Sequence, residues 1–339
     1  MKNLSSFTKG RDNNLNFLRF VAASLVLLSH CWPLTQGTSD NEPAMRLFGL
    51  EMGRMAVCVF FALSGFLVAT SWERRPNIRT FALARARRVF PGLVVMLLAL
   101  VLILGPIVTT ASLSEYFSQR KTWSYLMFNA TLYELRWGIP GVFDSTALNG
   151  SLWTLPVEVR CYLALGLLGL TGALRRRITY PLLAGLLTVL AFIGLIDVTH
   201  APLVWSFLVG VSASKWREKI ALDGRIALVL LLSALFLMYL KVPLSTAVLV
   251  FALGYGSLYL AYVPSGFIRA FNHMGDYSYG IYIYAFPVQV TAHQLWPELS
   301  VTGMYVVAMP ITLALAVVSW TFVESPALHG RPAWLRRGK

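Results

Sequence analysis

An arginine and a histidine lie in an otherwise apolar stretch near the amino terminus of this sequence. Arg19 and His30 both fall within residues 16–34, which read NFLRFVAASLVLLSHCWPL. On an α-helix this spacing returns the two side chains to within roughly 20° of each other, about 16 Å apart along the axis. Ionisable groups are costly in a membrane, so the pair is a candidate functional site. The pair suggests a ligand that extends from a basic membrane surface at Arg19 to the titratable His30. His30 would lie deeper by about half the thickness of a ~30 Å hydrocarbon core.

Arginines crowd the connection that follows the second apolar run. They are Arg74, Arg75, Arg79, Arg85, Arg87 and Arg88. Guanidinium groups bind phosphate bidentately, so this cluster beside the small residues Ser64 and Gly65 is suited to a polyphosphate ligand. The alternative is that the arginines only set membrane topology and contact anionic lipids. Arg85 and Arg88 are at helical spacing just before Pro91, which favours the ligand interpretation.

Two further segments carry polar groups in apolar surroundings. Residues 149–163 read NGSLWTLPVEVRCYL, where Ser151 or Thr154 is expected to cap a helix with Glu158 in its first turn. A carboxylate there is favoured by the helix dipole, and its functional interpretation is a partner for His30. In residues 275–289, the first two tyrosines fit the membrane interface, whereas Tyr282 and Tyr284 lie deeper and need hydrogen-bond partners.

The composition identifies an integral membrane protein. The chain has 339 residues, of which 57% are hydrophobic and 13% charged, against roughly 25% charged in soluble domains. Its mean hydropathy is +0.63 and its formal net charge is +14. The basic residues fall between apolar runs, so this charge indicates topology rather than a nucleic-acid partner. Cysteine and histidine spacing predicts no metal site.

Apolar windows of spanning length predict ten transmembrane helices in one compact all-α bundle. They fall at about 15–34, 53–71, 89–109, 154–172, 178–196, 201–213, 226–240, 245–262, 277–296 and 302–322. Most of the 29 Lys and Arg lie on one side if both termini are cytoplasmic. The segment at about 110–153 is then an outside loop, and its aromatic content predicts an ordered cover rather than a simple turn.

These motifs together resemble the membrane-bound acyltransferase-3 family, which O-acetylates bacterial polysaccharides, lipopolysaccharide O-antigens, peptidoglycan and related glycans. The matching elements run nearly end to end. They are NFLR at 16–19 with the Arg19–His30 spacing, FFALSGF at 60–66, the basic motif at 85–91, SLWTLPVE at 151–158, SYGIY at 278–282 and ESP at 324–326. The resemblance implies a single acyltransferase domain over residues 1–339 in the bacterial cytoplasmic (inner) membrane.

The resemblance also implies a division of labour among the candidate residues. Acetyl-CoA is the expected donor, a sugar hydroxyl the acceptor, and membrane lipids the surroundings. His30 is expected to act as general base, with Glu158 orienting it. The other predicted contacts are Arg19, Arg85, Arg87, Arg88, Ser64 and Gly65 for the donor, and Trp153 and Tyr282 for the acceptor. A covalent acyl-enzyme relay through a serine or tyrosine is the competing mechanism.

The sequence departs from the family pattern in two places. Residues 284–287 read YAFP, so the histidine that often follows the family's tyrosine motif is not there. No appended extracytoplasmic esterase-like domain is expected, so the chain would work alone or with partners in polysaccharide assembly. A secondary transporter is the main alternative from another class, since buried ionisable groups also occur in transporters. A lipid-binding scaffold subunit is a third.

Overall fold

The computed structural model describes residues 2–8, 10, 12–143, 147–195, 197 and 199–330. Within these ranges the regular secondary structure is helical. Pairing of the β type is limited there to two isolated bridges, Asn3 with Ala221 and Thr109 with Val142. The prediction of an all-α protein is therefore confirmed.

Ten helices coincide with the ten apolar windows, and we number these in chain order. They are α1 (Leu15–Gln36), α2 (Met52–Arg74), α3 (Ile78–Ala99), α4 (Thr154–Leu170), α5 (Thr179–Phe192), α6 (Ala201–Lys215), α7 (Gly224–Tyr239), α8 (Ser245–Tyr262), α9 (Ser278–Leu295) and α10 (Val301–Ser319). By length and composition, six helical segments of the described chain could cross a membrane. They are Leu15–Gln36, Met52–Arg74, Ile78–Val108, Gly150–Leu170, Ser245–Tyr262 and Val301–His329. The count of ten spans and the side of the termini stay predictions.

Shorter elements connect and extend these helices. The short α-helices are Leu4–Phe7, Pro43–Phe48, Gly105–Val108, Leu113–Ser118, Arg120–Thr131 and Ser325–His329. The 3₁₀ turns are Gly150–Trp153, Ala173–Arg175 and Phe267–His273. Two π-helical segments, Leu100–Leu104 and Trp320–Glu324, prolong α3 and α10. Segments of this type re-aim the side chains that follow them and are common near functional sites.

The predicted outside loop contains two of the short helices, Leu113–Ser118 and Arg120–Thr131. Tyr116 on the first and Tyr125 on the second are buried. Tyr116 donates a hydrogen bond from its hydroxyl to the Val101 carbonyl at 2.9 Å, and burial raises the pKa of this hydroxyl to about 12. The described residues of this segment, 110–143 and 147–153, are therefore ordered, as its aromatic content predicts.

The chain divides into two compact units, each assembled from separate segments. The first unit comprises Met1–Val26, Asp40–Ala82 and Val157–Met274, and the second comprises Leu27–Ser39, Leu83–Pro156 and Gly275–Lys339. The boundaries fall inside α1, α3 and α4. Arg19 therefore belongs to the first unit and His30 to the second. That the whole chain is one domain stays a prediction.

Within the first unit, α2 and α6 pack so closely that a glycine on each meets the backbone of the other. A Cβ added to Gly65 would lie 2.1 Å from the Phe207 carbonyl oxygen. A Cβ added to Gly210 would lie 1.9 Å from the Ala62 carbonyl oxygen. In membranes, helices associate through such small residues because close backbone approach replaces the hydrophobic driving force. This crossing fixes the position of α2.

Candidate active site

His30 lies in the second unit, half-buried, where α1 packs on α9. Its ring contacts the Phe286 ring edge to face, with centroids 5.3 Å apart and an interplanar angle of 83°. Almost one turn further along α9, Gln289 donates from Nε2 to the Leu27 carbonyl at 2.8 Å and to Cys31 Sγ at 3.1 Å. Leu27 and Cys31 flank His30 on α1, so these contacts fix which way the imidazole faces.

A 3₁₀ turn over residues 150–153 also contacts Phe286. A Cβ on Gly150 would come within 2.7 Å of the Phe286 ring, so the ring occupies the space that the glycine leaves. Asn149 donates from Nδ2 to the Ile283 carbonyl at 2.8 Å and accepts from the Ser151 amide at 3.1 Å. Asn149, rather than Ser151 or Thr154, therefore caps this segment and ties it to α9.

The hydroxyl of Tyr282 reaches the same turn. It donates to the Ser151 carbonyl at 2.9 Å and lies 2.5 Å from Thr154 Oγ1. These contacts confirm that Tyr282 is buried and has hydrogen-bond partners. Ser151 Oγ is buried and makes no hydrogen bond within the described part of the chain. A buried hydroxyl in that state is uncommon in proteins and fits a place where a ligand completes the contacts. Trp153, half-buried, ends the turn.

Arg88 on α3 is held by a carboxylate. Its Nη2 lies 2.7 Å from Asp276 Oδ2, and its Cζ lies 5.8 Å from the centroid of the Tyr279 ring. Asp276 also accepts a hydrogen bond from Ser278 Oγ at 2.5 Å. Tyr279 is buried and donates to the Val89 carbonyl at 2.7 Å, so its side chain packs inside the protein, and its place at the membrane interface stays a prediction. Asp276 is not among the predicted site residues, although an aspartate often bonds the residue two positions further along the chain, as it does here with Ser278.

The other two predicted donor arginines of this helix differ in exposure. Arg85 is half-buried and Arg87 is exposed. Arg87 is therefore open to a phosphate ligand, whereas Arg88 has a carboxylate already in contact. The structure places all three on α3 within one turn, as the helical spacing predicts.

Glu324 from the terminal ESP motif is buried in the second unit. It ends the π-helical segment, is 2% exposed, and accepts a hydrogen bond from Ser319 Oγ at 2.8 Å. Its Cγ would lie 3.5 Å from a Cβ on Gly92, one turn beyond Arg88 on α3. A carboxylate so placed is costly in a membrane, so this motif adds a second buried acid close to the Arg88–Asp276 pair.

Glu158 lies in the first unit, where two hydroxyls converge on it. Its Oε1 accepts hydrogen bonds from Ser64 Oγ at 3.2 Å and from the Tyr162 hydroxyl. Ser64 Oγ and the Tyr162 hydroxyl are themselves 2.8 Å apart. The i, i+4 spacing of Glu158 and Tyr162 on α4 could have identified this pair. Ser64, predicted to contact the donor, thus orients Glu158.

The candidate residues are distributed between the two units. The first unit contains Arg19, Ser64, Gly65 and Glu158, and the second contains His30, Arg85, Arg87, Arg88, Trp153 and Tyr282. In the structure, Ser64 contacts Glu158 directly. His30 and the 150–154 turn both contact α9, at neighbouring turns of that helix. The close packing of α2 on α6 explains why a glycine occupies position 65. The pairing of His30 with Glu158, and the donor and acceptor contacts, stay predictions.

Among the residues that the structure describes, no group of three or more His, Cys, Asp or Glu side chains is arranged to hold a metal ion.

Comparison with known proteins identifies the chain as an acyltransferase. Residues 12–321 match a family model described as an acyltransferase domain. The chain belongs to this family, acyltransferase-3, as the motifs at 16–19, 60–66 and 151–158 predict.

Two relatives match over nearly their whole length. The chain is 30% identical to the O-acetyl transferase of Shigella phage Sf6, in an alignment covering 93% of this chain and 95% of that protein. It is 26% identical to Nodulation protein 10 of Rhizobium leguminosarum bv. viciae, over 97% of each chain. No solved structure matches. These matches confirm the prediction of an enzyme of the O-acetyltransferase type.

The Arg88–Asp276 contact gives a first testable prediction. Removing one partner of a largely buried ion pair leaves an uncompensated charge, so Asp276→Asn should destabilise the protein by up to about 3 kcal/mol. Thermal melting of the purified protein in detergent measures this. Glu134→Gln is the matched control, because it breaks an exposed ion pair with Arg136, worth at most about 1 kcal/mol. Equal melting temperatures for the two variants would contradict a supporting role for Asp276.

Proposed function

We propose that the protein transfers an acetyl group from cytoplasmic acetyl-CoA to a hydroxyl of a cell-surface or lipid-linked glycan. The family and the name of the phage relative support the acetyl transfer. The apolar helices support a multi-pass location, proposed to be the bacterial inner membrane with ten spans and both termini in the cytoplasm. The observation that carries the proposal is the half-buried His30, whose ring packs on Phe286, which the hydroxyl-bearing turn at 150–154 also contacts.

His30 acts in this proposal as the general base. It takes the proton of the acceptor hydroxyl while that oxygen attacks the thioester carbonyl. The carbon–sulfur bond breaks, and the imidazolium returns the proton to the departing CoA thiolate, so the products are an acetyl ester and free CoA. A positioned base of this kind contributes about 10²–10⁴-fold to a rate. A covalent relay is the competing route, and Ser151, whose hydroxyl is buried, is its best candidate in the second unit.

The remaining residues bind and orient the substrates. Arg85 and Arg87 hold phosphates of the donor through charge-assisted hydrogen bonds, and Arg19 contributes a further cation. Arg88 adds positive charge that Asp276 partly offsets. Glu158, oriented by Ser64 and Tyr162, supports the imidazolium form of His30. Trp153 and Tyr282 contact the acceptor sugar.

One experiment tests this function. Membranes that contain the protein are incubated with acetyl-labelled acetyl-CoA, and base-labile label is then measured on surface glycan. We expect labelled ester and an equal amount of released CoA thiol in wild-type membranes, and neither in membranes without the protein. Succinyl-CoA in parallel tests the choice of acyl group. Proton-coupled solute uptake without thioester turnover would instead establish the transporter alternative.

A further inference from the structure

A groove of about 930 Å³ lies in the first unit between α5, α6, α7 and α8. Its lining is apolar, and none of the described residues that form it is charged. On α6 the lining extends from Trp205 to Trp216, and on α8 it extends from Ala247 to Leu258. A separation of this many residues along a helix is about 16 Å, which is roughly half of a ~30 Å hydrocarbon core. The groove is therefore about as long as one leaflet of a membrane is thick.

Hydrocarbon is the material that fills such a space in a membrane. An apolar cavity offers water no hydrogen bonds and stays dry, and an empty one deprives the side chains of its wall of dispersion contacts. The groove is partly open, so acyl chains of the surrounding lipid can enter it. In the described part of the chain, α5 packs on other helices mainly through α6. An acyl chain in the groove would therefore join α5 to α8.

One end of the groove has the features of a membrane interface. The rings of Tyr180 and Trp216 meet there, with centroids 5.1 Å apart and an interplanar angle of 60°. Tyr180 donates from its hydroxyl to the Leu174 carbonyl at 3.0 Å. Trp216 is half-buried, and no hydrogen bond is found for its indole N–H among the described residues. Tyrosine and tryptophan concentrate at the level of lipid headgroups, so Trp216 is placed to donate a hydrogen bond to a headgroup at this end.

The same end of the groove carries an excess of positive charge. Three arginines stand at 175–177, and residues 215–225 contain four basic and two acidic residues. Two of the basic residues, Lys219 and Arg225, directly precede residues that line the groove. Both are exposed, and no ion pair is found for either of them among the described residues. Their charges are therefore available to the phosphate of a lipid headgroup.

We infer that the groove binds one anionic phospholipid. The acyl chains lie between α5 and α8, and the phosphate lies at the basic end, beside Trp216, Lys219 and Arg225. The length of the groove fits a lipid of a single leaflet, and the positive charge favours an anionic headgroup. This inference does not depend on acetyl transfer. The positive-inside rule also places basic residues between helices, but under that rule alone, filling the groove would not change the binding of lipid.

Lipid binding is tested on the full-length protein after bound lipid has been removed in detergent. Native mass spectrometry counts the lipids that the protein retains during titration with phosphatidylglycerol and, separately, with phosphatidylcholine. The groove variant, Ala184→Trp, introduces an indole at a lining position of α5. Its control, Leu186→Trp, adds the same side chain to the same helix at a position that is 52% exposed and outside the lining.

A second pair of variants tests the headgroup. The charge variant combines Lys219→Gln with Arg225→Gln at the basic end. Its control combines Arg120→Gln with Lys121→Gln, which removes two exposed charges from the second unit. We expect the wild type to bind one phosphatidylglycerol at about tenfold lower concentration than phosphatidylcholine. The groove variant and the charge variant should each weaken this binding by about tenfold or more, the first by occupying the space of the chains and the second by removing attraction to the phosphate. Both controls should bind as the wild type does.

Thermal melting supplies a second measurement. Phosphatidylglycerol should raise the melting temperature of the wild type and of both controls, because a ligand that binds only the folded state stabilises it. Ala247→Phe, at a lining position of α8, repeats the groove test if Ala184→Trp fails to fold.

Four outcomes would overturn the inference. The first is equal binding of phosphatidylglycerol by all the variants. The second is a loss in the charge variant alone, which would mean attraction to a basic surface without an occupied groove. The third is equal binding of the two lipids by the wild type, which would contradict an anionic headgroup. The fourth is recovery of a polyisoprenyl phosphate, instead of a phospholipid, from the protein before bound lipid is removed.

Discussion

His30→Ala is expected to lower the rate of acetyl transfer by about 10²–10⁴-fold, because the acceptor hydroxyl loses its general base. The side chain is half-buried at the α1–α9 contact and packs on one aromatic ring, Phe286. Its removal should therefore leave the helix contacts made by Gln289 in place. Initial rates of labelled acetyl transfer, measured at saturating donor, give the effect on kcat.

His293→Ala is the matched control for this change. His293 is also half-buried and lies near the end of α9, but it has no place in the proposed chemistry. Both variants should insert into membranes and melt close to the wild-type temperature. A His30→Ala enzyme with near-normal transfer would remove His30 from catalysis. A shared loss in both variants would indicate a general effect on the packing of α1 and α9.

Gly210→Ala is expected to have a large effect on stability. The added Cβ would lie 1.9 Å from the Ala62 carbonyl and 2.7 Å from the Phe66 amide nitrogen. Both contacts are with backbone, so no side chain can move aside and α2 must separate from α6. Overpacking a well-packed interior typically costs about 1–3 kcal/mol, and rigid backbone contacts place this site at the upper end. Thermal melting and the yield of monodisperse protein in detergent measure the loss.

Gly256→Ala provides the control, since a Cβ at that helical position of α8 meets nothing within 4 Å. This change should be neutral or stabilise the helix by up to about 1 kcal/mol. If both variants melt at the same temperature, the α2–α6 crossing has more freedom than the structure indicates.

The sequence predicts the helices well and their mutual contacts poorly. Each apolar window coincides with a helix because long apolar runs in lipid satisfy their backbone only as helices. The close approach of Gly65 and Gly210 could not be predicted, because one-dimensional spacing does not say which helices meet. The division of the chain into two units was likewise not predicted, since it depends on contacts between segments far apart in sequence.

The same distinction applies to the candidate site. Its chemical groups stand out in the sequence because His30, Glu158 and the arginines are costly in apolar surroundings. Their partners come from distant segments, as Asp276 does for Arg88 and Ser64 does for Glu158. Only Tyr162 follows a local rule, since it is four residues from Glu158 on one helix. Most side chains that hydrogen-bond or pair with the site residues can therefore be identified only from the folded structure.

The glycine contacts between α2 and α6 also affect how precisely the Glu158 carboxylate of the first unit is held. Ser64 precedes Gly65, so any sliding of α2 along α6 would displace the hydroxyl that bonds Glu158. The space at Gly65 is too small for a methyl group, so a larger residue there would push α2 away from α6 and move Ser64 with it. A screen for lost activity should consequently recover Gly65 substitutions among apparent active-site mutants, although this residue supplies no functional group.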